Sequence, residues 1–303
     1  MISRVTVIVI ICIVVIIGLL VAGAYYSVGQ LLFLPTQEMV WEPTIPFSKV
    51  FIEDRIHGWL FENHPSNKIV LFCHGNFLNI SHHDFIVNLC HRQKLNLLIF
   101  DYSGYGLSDG RPDTQVVCKD GEAAYNFLRK KYDAEDIILW AQSLGGAVAT
   151  YIAERHPCSC LMLMSTFSSL DDAARDSNRS DLMKNFLYFI CIIHDNMNSK
   201  ERIKKVKCPI IILHSKSDEV IPYSNAERLY NAISHSQKKL IEIGGGHVNP
   251  KITSRQLKDI FAFACLDNSE CSKVKDLLSQ MCRLDEKYGD DAWEKYYKNV
   301  YRR

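Results

Sequence analysis

Ile137, Ile138, Leu139 and Trp140 form an apolar run that passes through Ala141 and Gln142 into a serine, Ser143. The residues that follow, Leu144, Gly145, Gly146, Ala147, Val148 and Ala149, are small or apolar and continue as a helical pattern through Tyr151, Ile152 and Ala153. This order predicts a buried strand, a sharp turn and a helix, with a hydroxyl at the apex of the turn. Small neighbours are required there because a tight turn brings the strand and helix backbones together. A serine held in this way stands above the carboxyl end of a sheet, and the rest of the chain has to supply that sheet.

The stretch Ala141 to Gly145 resembles the nucleophile elbow of the α/β hydrolases, written GxSxG, with Ala141 in place of the first glycine. Gly106, Leu107, Ser108, Asp109 and Gly110 match the same letters in full. The physics separates the two, since an elbow needs a strand directly before it and a helix directly after. The apolar strand Leu95 to Phe100 ends well short of Ser108, and Arg111 and Pro112 stand where small helical residues should begin. Ser108 is therefore expected in a surface turn, and Ser143 is the expected nucleophile.

Continuous apolar runs at Ile69 to Cys73, Leu95 to Phe100, Cys160 to Met164, Pro209 to Leu213 and Lys239 to Ile243 read as strands buried on both faces. Val50 to Glu53 and Trp59 to Phe61 read as an opening antiparallel pair around His57 and Gly58. Thr114 to Lys131 supplies a crossover helix with Val117, Ala124, Phe127 and Leu128 on its buried face. Strands alternating with helices predict a three-layer α/β domain around a mostly parallel central sheet, which the resemblance implies to be the α/β hydrolase fold, with one transmembrane helix expected ahead of it. Residues 165–207 carry an apolar cluster from Leu182 to Ile193, open to two readings: a lid over the site, or helices packed on the sheet.

Strand ends place the remaining chemistry. Ile69 to Cys73 runs into His74, Gly75, Asn76 and Phe77. Acyl transfer creates an oxyanion that preorganised N–H groups must hold. The resemblance implies the backbone amides of Asn76, with Phe77 as fallback, and of Leu144, while His74 braces the loop. Past Pro209 to Leu213 come Asp218 and Glu219 ahead of Val220, Ile221 and Pro222, and the family's acid loop selects Asp218. Three glycines, Gly244 to Gly246, precede His247. His214 and His194 read as ordinary exposed histidines, whereas His247 completes the order Ser, Asp, His found in these enzymes. Asp101 to Gly106 resembles a structural DYxGYG segment of the family.

From about Val50 to Leu266 the chain is similar to the membrane-anchored α/β hydrolase domain-containing proteins of the Bem-type branch. The resemblance implies hydrolysis of an ester or thioester through an acyl enzyme, on a small acyl-bearing molecule, a lipid or an acylated protein, with no metal or organic cofactor. A serine peptidase of the same fold and a catalytically inactive, membrane-tethered binding module are the alternatives.

The two ends differ from this core. Val5 to Ala24 contains no charged residue, and about 20 helical residues at about 1.5 Å each cross a bilayer. Residues 1–28 are thus expected to form a short cytosolic tail and a retained anchor; a signal peptide cleaved near Ala22 to Ala24, releasing a secreted protein, is the rival. Arg4 precedes the run, and Tyr25 to Phe47 holds Glu38 and Glu42 but no lysine or arginine, so the positive-inside rule places the domain on the lumenal or outer side. Sequons at Asn79 and Asn178 agree with that side. Residues 29–49, with Pro35, Pro43 and Pro46, read as an extended linker, and 267–303 as a helical extension whose end, Trp293 to Arg303, either touches a membrane surface or is solvated. A net charge of +1 over 303 residues argues against a nucleic-acid partner. The eleven cysteines show neither a CxxC pair nor zinc spacing; Cys73 reads as a buried thiol, and Cys265, Cys271 and Cys282 could pair in a lumenal domain.

Overall fold

The computed structural model describes residues 32–176 and 196–264, together with positions 11, 15 and 18. Apart from those three positions, the expected anchor over Val5 to Ala24 lies outside the described residues. So do the cluster Leu182 to Ile193, Asn178, His194, the three C-terminal cysteines and segment 267–303. Among the described residues, no helix is long and apolar enough to cross a membrane.

In chain order the elements are β1 (Leu34–Pro35), β2 (Ser48–Ile52), β3 (Ile56–Phe61), β4 (Ile69–Cys73), β5 (Phe77–Leu78), α1 (Asp84–Arg92), β6 (Asn96–Phe100), α2 (Thr114–Arg129), β7 (Ile137–Gln142), α3 (Leu144–Arg155), β8 (Cys160–Met164), α4 (Leu170–Asp176), α5 (Ser199–Arg202), β9 (Ile210–Ser215), α6 (Ser224–Ala232), β10 (Lys238–Gly245), β11 (Pro250–Lys251) and α7 (Ser254–Ala264). Nine strands form one sheet in the order β11-β10-β9-β8-β7-β4-β6-β3-β2, parallel from β6 to β10 and antiparallel at both margins. The small strands β1 and β5 pair with each other, Leu34 opposite Phe77.

The central parallel strands β4, β7, β8 and β9 are apolar over most of their length because both faces of the sheet are covered there, and their side chains alternate between two cores. Ile69, Leu71, Ile137, Leu139, Leu161, Leu163, Ile210 and Ile212 face one core with α2, α3 and α6. Val70, Phe72, Ile138, Trp140, Met162, Ile211 and Leu213 face the other with α1 and α7. Val117, Ala124 and Leu128 of α2 are buried as expected, while Phe127 is half-buried against the same core.

The connections fix where a site can form. After β4 the chain moves outward to β6, then crosses back through α2 to β7 on the other side of β4. The direction of winding reverses between β4 and β7, and α/β sheets bind ligands outside the carboxyl ends of the strands at such a point.

Several local expectations need correction. The turn of the β2–β3 hairpin lies at Glu53 and Asp54, both with positive φ, and not around His57 and Gly58, which sit inside β3. Gly58 is there because a Cβ would lie 3.0 Å from the Ile99 carbonyl of the neighbouring β6. Lys239 to Ile243 extends to Gly245 and gains a partner, β11. His214 is fully buried within β9 and donates from Nε2 to the Ile221 carbonyl at 2.8 Å. Burial pushes its pKa down despite that carbonyl and the nearby Asp218, which keeps the ring neutral near pH 7.

The described part of the expected linker is extended but docked. Phe33 is buried, worth roughly 2–3 kcal/mol for a ring of that size, and Trp41 and Phe47 pack on Trp59. The Thr36 carbonyl accepts the Gly106 N–H, and Asn79 donates its side-chain amide to the carbonyls of Thr36 and Glu38. Asn79 is fully buried in these bonds, so a glycan on that nitrogen is incompatible with this fold. Cys73, Cys90, Cys118 and Cys160 are buried thiols, and Cys158 and Cys208 are half-buried with their sulfurs 3.2 Å apart.

Candidate active site

At the end of β7 the chain turns into α3 through Ser143, whose φ of 52° and ψ of −121° lie in a region that ordinary L-residues avoid. Backbone bonds hold the turn: Ser143 N–H donates to the Met164 carbonyl at 3.0 Å, and its carbonyl accepts from the Gly146 N–H and the Thr166 hydroxyl. A Cβ on Gly145 would stand 2.0 Å from the Cys73 carbonyl oxygen, and one on Gly146 would stand 2.1 Å from the Thr166 hydroxyl. Both must therefore be glycine. Ala141 is fully buried in the core beside Cys73, so its methyl group is accommodated where the usual pattern has none.

His247 reaches Ser143 from the far end of β10. The chain turns at Gly245 with a φ of 80°, where a Cβ would lie 2.0 Å from the Asn249 carbonyl oxygen. Nε2 of His247 lies 3.0 Å from Ser143 Oγ, and Nδ1 lies 2.9 and 3.1 Å from the two carboxylate oxygens of Asp218. A carboxylate at Nδ1 can only accept, so Nδ1 carries the proton and Nε2 offers its lone pair to the serine hydroxyl. Asp218 itself accepts from the N–H groups of Val220 at 3.0 Å and Ile221 at 2.8 Å. Burial pushes the Asp218 pKa up, but the bond and charge of His247 together with those two N–H groups outweigh it and hold the carboxyl below its ordinary range.

Glu219, passed over in favour of Asp218, has a distinct place. Its carboxylate accepts the backbone N–H of His247 at 3.0 Å and lies where a Cβ on Gly246 would be, 2.6 Å away. It holds the loop that carries the histidine, and only the pairing of two strand ends 28 residues apart reveals this.

The loop after β4 lies against the serine: a Cβ on Gly75 would sit 3.5 Å from that of Ser143. Nδ1–H of the buried His74 donates to the Gly75 carbonyl at 2.7 Å. Because a peptide is planar and trans, fixing that carbonyl fixes the direction of the Asn76 N–H on its opposite side. The next peptide is held in the same manner. The Asn76 carbonyl accepts from Tyr105 Oη at 2.8 Å and Leu34 N–H at 3.0 Å, which orients the Phe77 N–H, while Tyr102 Oη bonds the His74 carbonyl. The Asp101–Gly106 segment thus clamps the loop beside the serine through its two tyrosines. Burial drives the His74 pKa down, with Asp101 and the Gly75 carbonyl offsetting part of it, so the ring is neutral near pH 7. Leu144 begins α3, which puts its N–H at the helix N-terminus next to Ser143.

Ser108 is not in a surface turn. It is buried; its hydroxyl donates to the Asp101 carbonyl at 2.8 Å and accepts the His57 N–H at 2.8 Å. Sequence spacing gave no sign of this, since the His57 bond spans 51 residues. Among the described residues, no cluster of three or more histidine, cysteine or acidic side chains is arranged to hold a metal ion.

A serine on a strained strand-to-helix turn, with a histidine and an acid delivered by later strand ends of a parallel sheet, defines the α/β hydrolase class, and this chain belongs to that family. A family model described as the alpha/beta hydrolase fold matches residues 68–189. An uncharacterized protein of Mycobacterium tuberculosis is 31% identical over 202 residues, 65% of this chain and 70% of its own length. Alpha/beta hydrolase domain-containing protein 17C of Xenopus tropicalis is 32% identical over 202 residues, which cover 65% of this chain and 62% of that protein. An esterase of Pyrococcus furiosus has a similar fold, with a TM-score of 0.59 at 18% identity, covering 82% of this chain and 97% of the esterase.

Proposed function

We propose that the protein is a serine hydrolase that cleaves carboxylic ester or thioester bonds of acyl-bearing substrates. The observation that carries this reading is the unbroken hydrogen-bonded series from Asp218 through His247 to Ser143. Neutral His247 takes the Ser143 proton at Nε2 as the oxygen attacks the acyl carbon, and Asp218 fixes the tautomer and stabilises the imidazolium. The N–H groups of Asn76 and Leu144 hold the oxyanion, each such donor being worth about 3–4 kcal/mol of barrier. Proton return from Nε2 releases the alcohol or thiol, and water activated by the same histidine frees the acid. The esterase nature of the Pyrococcus furiosus fold relative points the same way.

The charge-free run from Val5 to Ala24 is read as a retained anchor, with Arg4 on its cytosolic side and the hydrolase domain on the lumenal or outer side. The charge asymmetry supports that orientation; the Asn79 sequon does not, being buried. Protease protection in sealed microsomes tests it: the domain survives if it is lumenal and is digested if it is cytosolic.

Labelling by a fluorophosphonate probe tests the chemistry. Wild type and Ser108→Ala are expected to react and Ser143→Ala to be silent. A Ser143→Ala protein that still labels overturns the assignment of the nucleophile.

A further inference from the structure

In the described hydrolase domain, every exposed large apolar side chain belongs to one edge of the sheet. Leu34, Val40, Phe51, Phe77, Leu107, Val220 and Val248 are between 42% and 59% exposed. Phe77 follows β4, Leu107 follows β6, Val220 follows β9 and Val248 follows β10, so all four lie at the carboxyl ends of parallel strands. Leu34 pairs with Phe77, Val40 N–H bonds Ser81 just beyond β5, and Phe51 pairs with His57 where β3 meets the end of β6. Four of the seven sit within two residues of Asn76, Asp218 or His247, or pair with one that does.

Most exposed side chains at the other edge are charged or polar, Glu62, Asn63, Asn67, Lys131 and Gln237 among them. Glu62, Lys131 and Asp133 precede or follow strands there and are tied into ion pairs such as Lys131–Glu62 at 2.7 Å and Lys68–Asp136 at 3.2 Å. Scattered exposed apolar residues carry no meaning, but their confinement to the mouth of the site does.

The chain itself says what covers them. Leu34, whose N–H is bonded to the Asn76 carbonyl beside the site, comes ten residues after Ala24, the last of the apolar run. Fully extended, ten residues reach at most about 35 Å. From Val5 to Gln37 no residue carries a side-chain charge, and Tyr25 and Tyr26 stand where aromatic side chains mark a membrane boundary. The tether therefore enters the domain at its apolar, site-bearing edge.

We infer that this edge docks on the bilayer that holds the anchor, so that the site opens onto the membrane and takes its acyl substrate from the lipid phase. The inference rests on the proposed anchor and deepens the proposed hydrolase reading. Exposed charges of both signs lie on the same edge, Glu38, Asp109 and Glu219 with Arg111 and Lys216, so it offers no net positive patch to anionic lipid, and apolar insertion into a zwitterionic surface is the mode of contact.

The full-length chain reconstituted into phosphatidylcholine vesicles tests it, with a photoreactive benzoyl-phenylalanine incorporated in place of Leu34, Phe77, Val220 or Val248, and of Asp133 at the opposite edge as control. Flotation reports the anchor, and lipid adducts identified by mass after irradiation report the docked edge; neither requires turnover. Flotation with adducts at the four rim positions at least about tenfold above those at Asp133 is the expected result. Flotation with rim yields equal to that of Asp133 overturns the docked edge and leaves the anchor standing. Failure to float overturns the anchor, and the docking with it. Fluorophosphonate labelling of the same vesicles, read separately, decides whether a failure extends to the hydrolase chemistry.

Discussion

One sheet presents two edges made of opposite materials. At the amino edge, strands begin from loops laced with ion pairs, Lys68 with Asp136, Lys131 with Glu62 and Lys205 with Glu154, between half-buried and exposed side chains. Partly exposed pairs of this kind are each worth about 1 kcal/mol or less. At the carboxyl edge the chain accepts a serine at positive φ, close-packed glycines and buried titratable groups. Most features that cost stability gather at the edge that carries the candidate site, although Lys94, ahead of β6 at the other edge, also has a positive φ of 54°. The division is physical: strand ends of a parallel sheet bring residues distant in sequence to one line, and only one of the two lines needs a fixed geometry.

Substitutions that respect or cross this division should differ sharply. Asp218→Asn, which keeps shape but misplaces the imidazole proton, is expected to lower kcat by a factor on the order of 10^4, read with an ester substrate at pH 7. The same change should alter acid sensitivity. The Asp218 carboxyl is depressed in the folded state, so its contribution to stability is present above its unfolded value of about 3.9 and is lost as pH falls through the lower folded value. Urea unfolding of wild type below about pH 4 should show that loss, and Asp218→Asn should flatten it.

Glu219→Ala releases the His247 N–H without touching the ring, and a loss of roughly tenfold in kcat is expected, in line with one charged hydrogen bond. Glu219→Gln keeps an accepting oxygen and should restore most of it; equal losses in both variants would mean that the carboxylate acts through its charge. Ser108→Ala should leave turnover intact and cost about 1–3 kcal/mol in unfolding free energy, because two buried backbone groups lose their partner. Lys131→Ala, at the amino edge, should stay within about 0.5 kcal/mol of wild type in stability and leave kcat unchanged. If it impairs turnover as much as Glu219→Ala does, the two edges are not separable.

The parallel core was legible because strands buried on both faces write themselves as unbroken apolar runs, and β4, β7, β8 and β9 each begin within a residue of the run that announces them. Ser143, Asp218 and His247 could be picked out because each lies in the turn past such a run, and the structure places His247 within hydrogen-bonding distance of both others. What stayed hidden depends on contacts between strand ends far apart in sequence. The burial of Ser108, the hold of Glu219 on His247 and the sealing of Asn79 under residues 36–38 leave no periodic trace. His214 misled for a simpler reason: a single polar residue near the end of an apolar run looks like the start of a loop, although the strand continues through Ser215.

The docking of Leu32 and Leu34 onto Asn76 bears on how the protein can be prepared. The Asn76 side chain donates to the Leu32 carbonyl at 3.0 Å, and its own carbonyl accepts the Leu34 N–H at 3.0 Å. A chain trimmed to begin at Val50, to be rid of the apolar run, would keep the whole parallel sheet and the serine, histidine and aspartate. It would also lose the strap that seats the loop beside them. Such a fragment could fold and still be inert, and its silence would report the position of the cut, not the chemistry of the site.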